Sequence, residues 1–194
     1  MFGCADVSRA PRGEVVGQMI ETARLILRPW REDDRGAFAA IINTPAMMAD
    51  FGGVKDRAGI DRLFDKRIDD QARNGHSFWA VELHSGEIVG SVGIRVAHDY
   101  PGLPVEGMRE LGWRIAEAHW GTGLAHEAAK AAINWGWANI DTPFLAAWTT
   151  AGNTRSWGLM ERLGMTRRVD LDCRDPDGSC PDDNLIVYTM DRPQ

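Results

Sequence analysis

The sequence has few cysteines and no long apolar segment, and each scarcity excludes a class of protein. Cys4, Cys173 and Cys180 are the three cysteines in 194 residues, too few for a disulfide scaffold and without zinc-ligand spacing. We therefore expect reduced thiols, a cytoplasmic location and no metal site, and keep a Cys173–Cys180 link as a minor alternative. No apolar run approaches the roughly 20 residues that cross a bilayer, so no membrane partner is expected.

Basic residues are also scarce. The 22 Lys and Arg residues face 28 Asp and Glu residues, which gives a formal net charge of -6. This balance is unsuited to a broad nucleic-acid surface and modestly favours a basic amine as a ligand. Residues 1–18 lack the apolar segment of a secretory signal and are predicted to be a disordered extension. Residues 19–194 are then predicted to form one domain.

Hydrophobic periodicity predicts alternating strands and helices in an α+β domain. Strand patterns and helical patterns together give the order β-α-α-β-β-β-α-β-α-β-β, which implies a mixed sheet with helices on its faces. The predicted strands are 20–29, 78–83, 88–96, 110–115, 144–149, 165–171 and 185–190, and the predicted helices are 32–42, 60–74, 125–137 and 153–163.

A glycine loop joins the central strand, residues 110–115, to the alanine-rich helix predicted at 125–137. In the loop 120–125, Gly121 and Gly123 permit unusual backbone angles and the close approach of a ligand. The amides of such a loop and the helix N-terminus favour an anion, so we predict a diphosphate site. A plain connecting turn is the alternative. A Rossmann site is disfavoured because the third glycine is missing and residues 116–120 separate the strand from Gly121.

Four segments of the chain carry a family resemblance: residues 22–29 (TARLILRP), 110–113 (ELGW), 120–128 (WGTGLAHEA) and 153–165 (NTRSWGLMERLGM). Together they resemble the GNAT N-acetyltransferases, and within them the RimJ/RimL type. The resemblance covers residues 19–191. It implies the GNAT fold, a mixed and mostly antiparallel sheet of about seven strands flanked by about four helices. It also implies acetyl-CoA as the co-substrate and direct transfer of its acetyl group to a primary amine.

The resemblance also assigns residues to the cofactor. The pyrophosphate would bind the loop amides, the pantetheine arm would pair with the central strand, and the Asn at the start of the last helix would hydrogen-bond that arm or simply cap the helix. The residues so implied are Trp113, Arg114, Ile115, Trp120, Gly121, Thr122, Gly123, Leu124, Ala125, Asn153 and Ser156. Trp120 stands where the superfamily usually has Gln or Arg, as is usual in this subgroup.

Acetyl transfer from a thioester needs a neutral amine, a donor for the tetrahedral oxyanion and a proton for the leaving thiolate. Many relatives use a tyrosine of the last helix as the proton donor, and that position here is Met160. Ser156, one turn earlier, resembles the serine given this role in the RimJ/RimL type, and is the predicted donor. The alternative is an ordinary serine of a first helical turn.

Glu110 is the predicted general base, because it begins the central strand and shares a face with Gly112, which would leave room beside it. An ion pair of Glu110 with Arg109 or Arg114 is the alternative. Three histidines are further titratable candidates, each more often a surface residue than a catalyst: His76, His98 and His119.

The acceptor is predicted to be a protein N-terminal amine or a small-molecule amine. Its pocket would be walled by the early helices and the loop 98–108, with contributions from Trp30, Trp79 and Trp148. Relatives of this type are often dimers, so a homodimer is left open. The competing functions are a CoA-binding regulatory module that has lost turnover, which Met160 favours, and a nucleotide-binding oxidoreductase.

Overall fold

A computed structural model describes residues 19–174 and 184–194 of the chain. The predicted extension 1–18 and Cys180, with its possible link to Cys173, lie outside these residues. No helix among the described residues has the length and apolar character needed to cross a membrane.

The strands of the described chain form one mixed, mostly antiparallel sheet with the order β1-β2-β3-β4-β5-β6-β9-β7, and β8 pairs with β9. The strands are β1 Ile20–Glu21, β2 Leu25–Arg28, β3 Phe78–Leu83, β4 Ile88–Val96, β5 Arg109–Ile115, β6 Phe144–Thr150, β7 Thr166–Arg167, β8 Cys173–Arg174 and β9 Asn184–Asp191. Among the strands of the described residues, β5 and β6 are the one parallel pair. The predicted α+β class is confirmed.

Five α-helices are present in the part of the chain that the structure describes: α1 Arg35–Ile42, α2 Pro45–Met48, α3 Arg57–Asn74, α4 Leu124–Asn139 and α5 Thr154–Arg162. Helix α3 ends as predicted, because Gly75 adopts the left-handed conformation with φ 75°. Helix α2 was not predicted. The Thr44 hydroxyl accepts the Met47 N–H at 3.2 Å, so the Pro45 segment that interrupts α1 also starts a new helical turn.

Two predicted strands are shorter than expected. The first is divided into β1 and β2, which pair as an antiparallel hairpin. The strand predicted at 165–171 is reduced to β7, followed by a 3-10 turn at Val169–Leu171. One cause is the Asp172 carboxylate, which accepts the Val187 N–H at 3.1 Å and so replaces a strand neighbour.

The sheet separates two hydrophobic clusters. Helix α4 packs against β4 on one face, and a Cβ on Gly136 would lie 2.4 Å from Ile94 Cδ1, so a larger residue there would displace the end of the Ile94 side chain. On the other face α1 and α3 bury Trp30, Phe38 and Phe64, whose rings meet edge to face. Both clusters fix the position of the central strands β4 and β5.

Strands β5 and β6 are paired only where Glu110 meets Ala146, and they separate beyond that point. The β4 edge of β5 is paired along its whole length, from Arg109 to Ile115. The other edge is therefore open over its second half, and this opening positions the site.

Candidate active site

A cleft of about 860 Å³ lies where β5 and β6 separate. Its walls come from α1 and α2, from the open edge of β5, from the loop before α4, and from the start of α5. The sequence-predicted residues that line it are Glu110, Trp113, Arg114, Ile115, Trp120, Gly121, Gly123, Leu124, Ala125, Asn153 and Ser156. Thr122 is the predicted residue absent from this lining.

The main chain of β5 presents unpaired groups to the cleft at alternate residues. Ala116 N–H donates to Val89 O at 2.8 Å, which fixes the alternation of the antiparallel β4–β5 ladder. The peptide groups of Trp113 and Ile115 therefore point to the open edge, and those of Arg114 point to β4. Trp113 and Ile115 are thus placed to pair with an extended ligand, whereas the backbone role predicted for Arg114 is excluded.

The Trp120 indole occupies part of this edge. Its Nε1–H donates to Ile115 O at 2.6 Å, so Ile115 offers a ligand its N–H but not its carbonyl. The guanidinium of Arg155 lies 4.5 Å from the centre of the Trp120 ring. This cation–π contact places a positive charge beside the glycine loop. Arg155 was not predicted, since nothing in its sequence spacing indicates the contact.

The start of helix α4 forms a concave set of main-chain amides. Gly121 and Gly123 have φ of 77° and 83°, a conformation that non-glycine residues rarely adopt. The N–H of Glu127 is the first to bond within the helix, to Gly123 O at 3.1 Å. The N–H groups of Leu124 and Ala125 therefore have no partner within the helix and point to the anion-favouring end of its dipole.

The N-terminal hairpin formed by β1 and β2 stabilises the loop 120–125 through Arg24. Arg24 donates from Nε to Glu127 Oε2 at 2.6 Å and from Nη1 to Thr122 O at 3.0 Å. Burial alone would raise the pKa of Glu127, but hydrogen bonds from Thr22 and Arg24 lower it. Thr122 also donates its hydroxyl to His119 O, so its side chain stabilises the loop. The segment 22–29 was recognised by resemblance, but its contact with the loop was not.

Helix α5 brings three predicted residues to the opposite wall. Asn153 caps the helix, because its side chain accepts the Ser156 N–H at 3.2 Å. Ser156 and Met160 are one turn apart and both line the cleft, although Met160 is only 1% exposed. The cap orients Asn153 toward its own helix through its oxygen and leaves the amide nitrogen as the group suited to a ligand carbonyl.

Glu110 lies in the cleft and pairs with Arg95, not with Arg109 or Arg114. Arg95 Nε donates to Glu110 Oε2 at 2.6 Å, and Arg95 also binds Asp99. Burial alone would lower the pKa of Arg95, but Glu110 and Asp99 raise it above its ordinary value. The two partners named in the alternative reading were wrong, because the actual partner lies across the β4–β5 ladder, where sequence spacing is uninformative.

The three candidate histidines are dispersed. His119 lines the cleft and contacts Glu87 at 3.2 Å. His76 is buried on the other side of the sheet, where its Nδ1 lies 2.7 Å from Ile94 O. Burial lowers the pKa of His76, so it remains neutral at physiological pH. His98 is not among the residues that line the cleft.

Phe78 fills the space that was expected beside Gly112. A Cβ on Gly112 would lie 2.5 Å from Phe78 Cζ, so this glycine accommodates an aromatic ring and not a substrate. Trp148 lines the cleft as predicted, whereas Trp30 and Trp79 are buried in the two hydrophobic clusters. Tyr100 also lines the cleft, which was not predicted, and its ring meets Trp148 edge to face at 5.3 Å.

Two arginines on the side of the cleft formed by α1 to α3 were also missed as a pair. The buried Arg67 of α3 and the half-buried Arg114 of β5 both line the cleft. Burial lowers the pKa of Arg67 to about 9 and that of Arg114 to about 10. Burial and the charge of Glu110 raise the pKa of Tyr100, so its hydroxyl stays protonated. Residues 19–174 and 184–194 contain no cluster of side chains suited to a metal ion.

The GNAT acetyltransferase domain family matches residues 24–166. A relative, the uncharacterized protein YkkB of Bacillus subtilis (strain 168), is 29% identical over 146 residues, which cover 74% of this chain and 83% of YkkB. An acetyltransferase structure from Agrobacterium tumefaciens str. C58 is 29% identical, with TM-score 0.72 and coverage of 89% of this chain and 94% of that one. RimL, an α-N-protein acetyltransferase in complex with coenzyme A, is 14% identical, with TM-score 0.71 and coverage of 90% and 98%.

The open strand edge beside a helix N-terminus is chemically suited to an extended ligand with an anionic end. With the matched family, it identifies the class of protein as an acyltransferase. The chain belongs to the GNAT family of acetyltransferases and is an N-acetyltransferase, as the sequence predicted. The fold is also that of RimL, which represents the type that the sequence resembles.

Proposed function

We propose that this enzyme transfers the acetyl group of acetyl-CoA to the primary amine of a protein N-terminus or a small molecule. The observation that carries the proposal is the separation of β5 from β6 beside the amides that begin α4. The family uses acetyl-CoA, and the cleft joins an anion-favouring end to a strand edge with free peptide groups.

Coenzyme A is proposed to lie along this edge. Its pyrophosphate binds the amides from Gly121 to Ala125, with Arg155 adding a positive charge nearby. Its pantetheine amides pair with Trp113 and with the Ile115 N–H, and the Asn153 amide nitrogen donates to the same arm. The Arg24 contacts with Thr122 O and Glu127 hold the loop in its binding conformation.

The chemistry proposed is direct attack of the amine on the thioester. The C–N bond forms as the carbonyl becomes a tetrahedral oxyanion, which an N–H of the open β5 edge stabilises. The C–S bond then breaks, and Ser156 gives a proton to the thiolate, directly or through water, and regains a proton from solvent. Glu110 accepts the proton that the amine loses, and its pairing with Arg95 fixes its position.

Two measurements test the proposal. Calorimetric titration should show binding of acetyl-CoA and not of NAD, and a thiol-release assay over amines and N-terminal peptides should show CoA formation with at least one acceptor. Binding without thiol release across a broad panel would favour the CoA-binding module. Absence of acetyl-CoA binding by the folded protein would contradict the proposal.

A further inference from the structure

The acceptor half of the cleft contains two guanidinium groups without an ion-pair partner. Within the described residues, no carboxylate lies within 4.0 Å of the side-chain nitrogens of Arg67 or Arg114. Arg67 is 7% exposed, and its Nε is buried without a hydrogen-bond partner in the described structure. Leaving such a donor unpaired is costly, so a ligand that accepts a hydrogen bond from it would be favoured.

Aromatic and sulfur groups hold both side chains in place. The Arg67 guanidinium lies 4.8 Å from the centre of the Phe78 ring, and the Arg114 guanidinium lies 3.9 Å from that of Phe51. Arg114 Nη1 also contacts Met48 Sδ at 3.8 Å. These contacts orient the two cations but do not neutralise their charge.

Two of the neighbouring carboxylates, Asp99 and Glu110, are engaged with other cations, whereas the charge of the buried Asp70 of α3 opposes the burial that lowers the pKa of Arg67 without forming an ion pair with it. Lys66 pairs with Asp99, Asp99 pairs with Arg95, and Arg95 pairs with Glu110, which gives a chain of alternating charges with no net excess. Asp50 lines the cleft, where it accepts the Thr150 hydroxyl at 3.0 Å. The charges of Arg67 and Arg114 are therefore additional to this balanced chain.

Resting on the proposed function, we propose that the acceptor carries an anionic group, such as a carboxylate, and that Arg67 and Arg114 bind it. The anion would sit between α3 and β5, on the same sheet face as Glu110, while the amine lies nearer Glu110. The net charge of -6 suggested a basic ligand, but the two arginines in the cleft favour an acidic one. The acceptor class is an amine with a nearby acid, not a polycation.

The test uses coenzyme A alkylated at sulfur by carboxyalkyl chains of increasing length, each matched with its carboxamide. These probes need no knowledge of the acceptor, because the coenzyme part delivers the acid or amide into the acceptor half of the cleft. By calorimetry, we expect at least one acid to bind about tenfold or more tightly than its amide. Equal binding of acid and amide at every chain length would overturn the proposal.

Variants then assign the preference to these residues. Arg67→Gln and Arg114→Gln should each weaken binding of the acid probe, so that the ratio of the acid affinity to the amide affinity falls toward one. Binding of the amide probe should not change. Arg57→Gln is the control, since Arg57 lies on the same helix, is 78% exposed and pairs with Asp61. An unchanged ratio in both cleft variants would exclude these arginines as the anion site. If the wild-type protein did not bind unmodified coenzyme A, that result would instead contradict the proposed function.

Two turnover arms then identify the source of the anion. One compares small amino acids with their amides, and the other compares peptides that carry an acidic or an amide residue after a free N-terminus. A preference for the acid in the first arm assigns a small-molecule acceptor, and a preference in the second assigns a protein N-terminus. A preference for the amide in both arms would contradict an anionic acceptor.

Discussion

At the scale of single residues, the cleft is divided by side chains that occupy the sheet edge and face. Trp120 covers the Ile115 carbonyl, and Phe78 covers Gly112. The ligand space that remains runs from the amides before α4 to the arginines beyond Phe78. Ser156 also lines this space, and it is the residue proposed to protonate the leaving thiolate.

Ser156→Ala tests the proposed proton donor. We expect kcat to fall by about 10²-fold or more, because general acids typically contribute 10²–10⁴-fold, while the affinity for acetyl-CoA stays within about twofold. Steady-state kinetics and calorimetry on the same preparation measure both quantities. Ser156→Thr retains a hydroxyl and should recover much of the rate. Full turnover by the alanine variant would eliminate Ser156 from the mechanism.

At the scale of elements, sequence patterns predicted the strands and helices that have strong periodicity. Helix α3 and strands β3, β4 and β6 lie close to their predicted bounds, because alternation and capping residues are local signals. The β7 segment was overestimated because its neighbour's N–H is taken by a distant side chain, Asp172. Short elements stabilised by such tertiary contacts have no local signature.

In the candidate site, too, features set by neighbouring residues in the chain were predictable, and tertiary contacts were not. The loop 120–125 and the cap at Asn153 were predictable, since glycine spacing and helix starts are properties of contiguous residues. The Glu110–Arg95 pair and the Arg67–Arg114 cluster were not, because each joins residues from different elements. The roles of these residues stay proposals, whereas the family is established.

Gly112→Ala tests the packing of β5 against β3. A methyl group there would lie 2.5 Å from Phe78 Cζ, so we expect destabilisation by about 1–3 kcal/mol from overpacking. Phe78 is held between Arg67 and Arg95, which limits its ability to move. Urea denaturation measures the change in the free energy of unfolding.

The matched control for that substitution is Gly36→Ala in helix α1, where no atom lies within 4 Å of the added methyl group. It should be neutral or stabilise by up to about 1 kcal/mol through helix propensity. Equal effects of the two substitutions would contradict the packing role assigned to Phe78.

At the scale of the whole molecule, charge is distributed unevenly around an acidic average. The net charge is -6, yet the cleft is lined by Arg67, Arg114, Arg155 and Arg162. Local positive charge of this kind suits the phosphates of coenzyme A and an anionic acceptor. Other buried charges include the Arg28–Asp34 ion pair, which joins β2 to the turn before α1.

Asp34→Asn tests this pair. Asp34 accepts two hydrogen bonds from Arg28, at 2.7 and 3.0 Å, and one from the Arg31 N–H. Burial alone would raise the pKa of Asp34, but these hydrogen bonds and the Arg28 charge lower it. Breaking a buried pair at neutral pH should cost about 3–5 kcal/mol, measured by urea denaturation.

The pH dependence of that difference follows from the direction of the shift. A carboxyl whose folded pKa lies below its unfolded value of about 3.9 stabilises the protein above that pH and loses the contribution as pH falls through the folded pKa. The gap between wild type and Asp34→Asn should therefore narrow below about pH 4. The neighbouring exposed Asp33→Asn is the control. A gap that persists unchanged to pH 3 would contradict the assignment.

The most direct test of the account is an acid placed among the amides before α4. Gly121 is suited to it, because a side chain there meets no atom within 4 Å, whereas one at Gly123 would lie 3.5 Å from Arg24 Nη2 and pair with it. Gly121→Asp and Gly121→Asn differ by one charge, and Gly86→Asp controls for the left-handed backbone, with φ 92° in a distant turn.

Calorimetric titration of these folded variants with acetyl-CoA is the deciding measurement. If the amides bind the pyrophosphate, Gly121→Asp should bind about tenfold or more weakly than Gly121→Asn, because a negative charge then faces the phosphates at close range. Gly86→Asp should bind like the wild type. Equal affinity of the Asp and Asn variants at position 121 would contradict a pyrophosphate site at the start of α4.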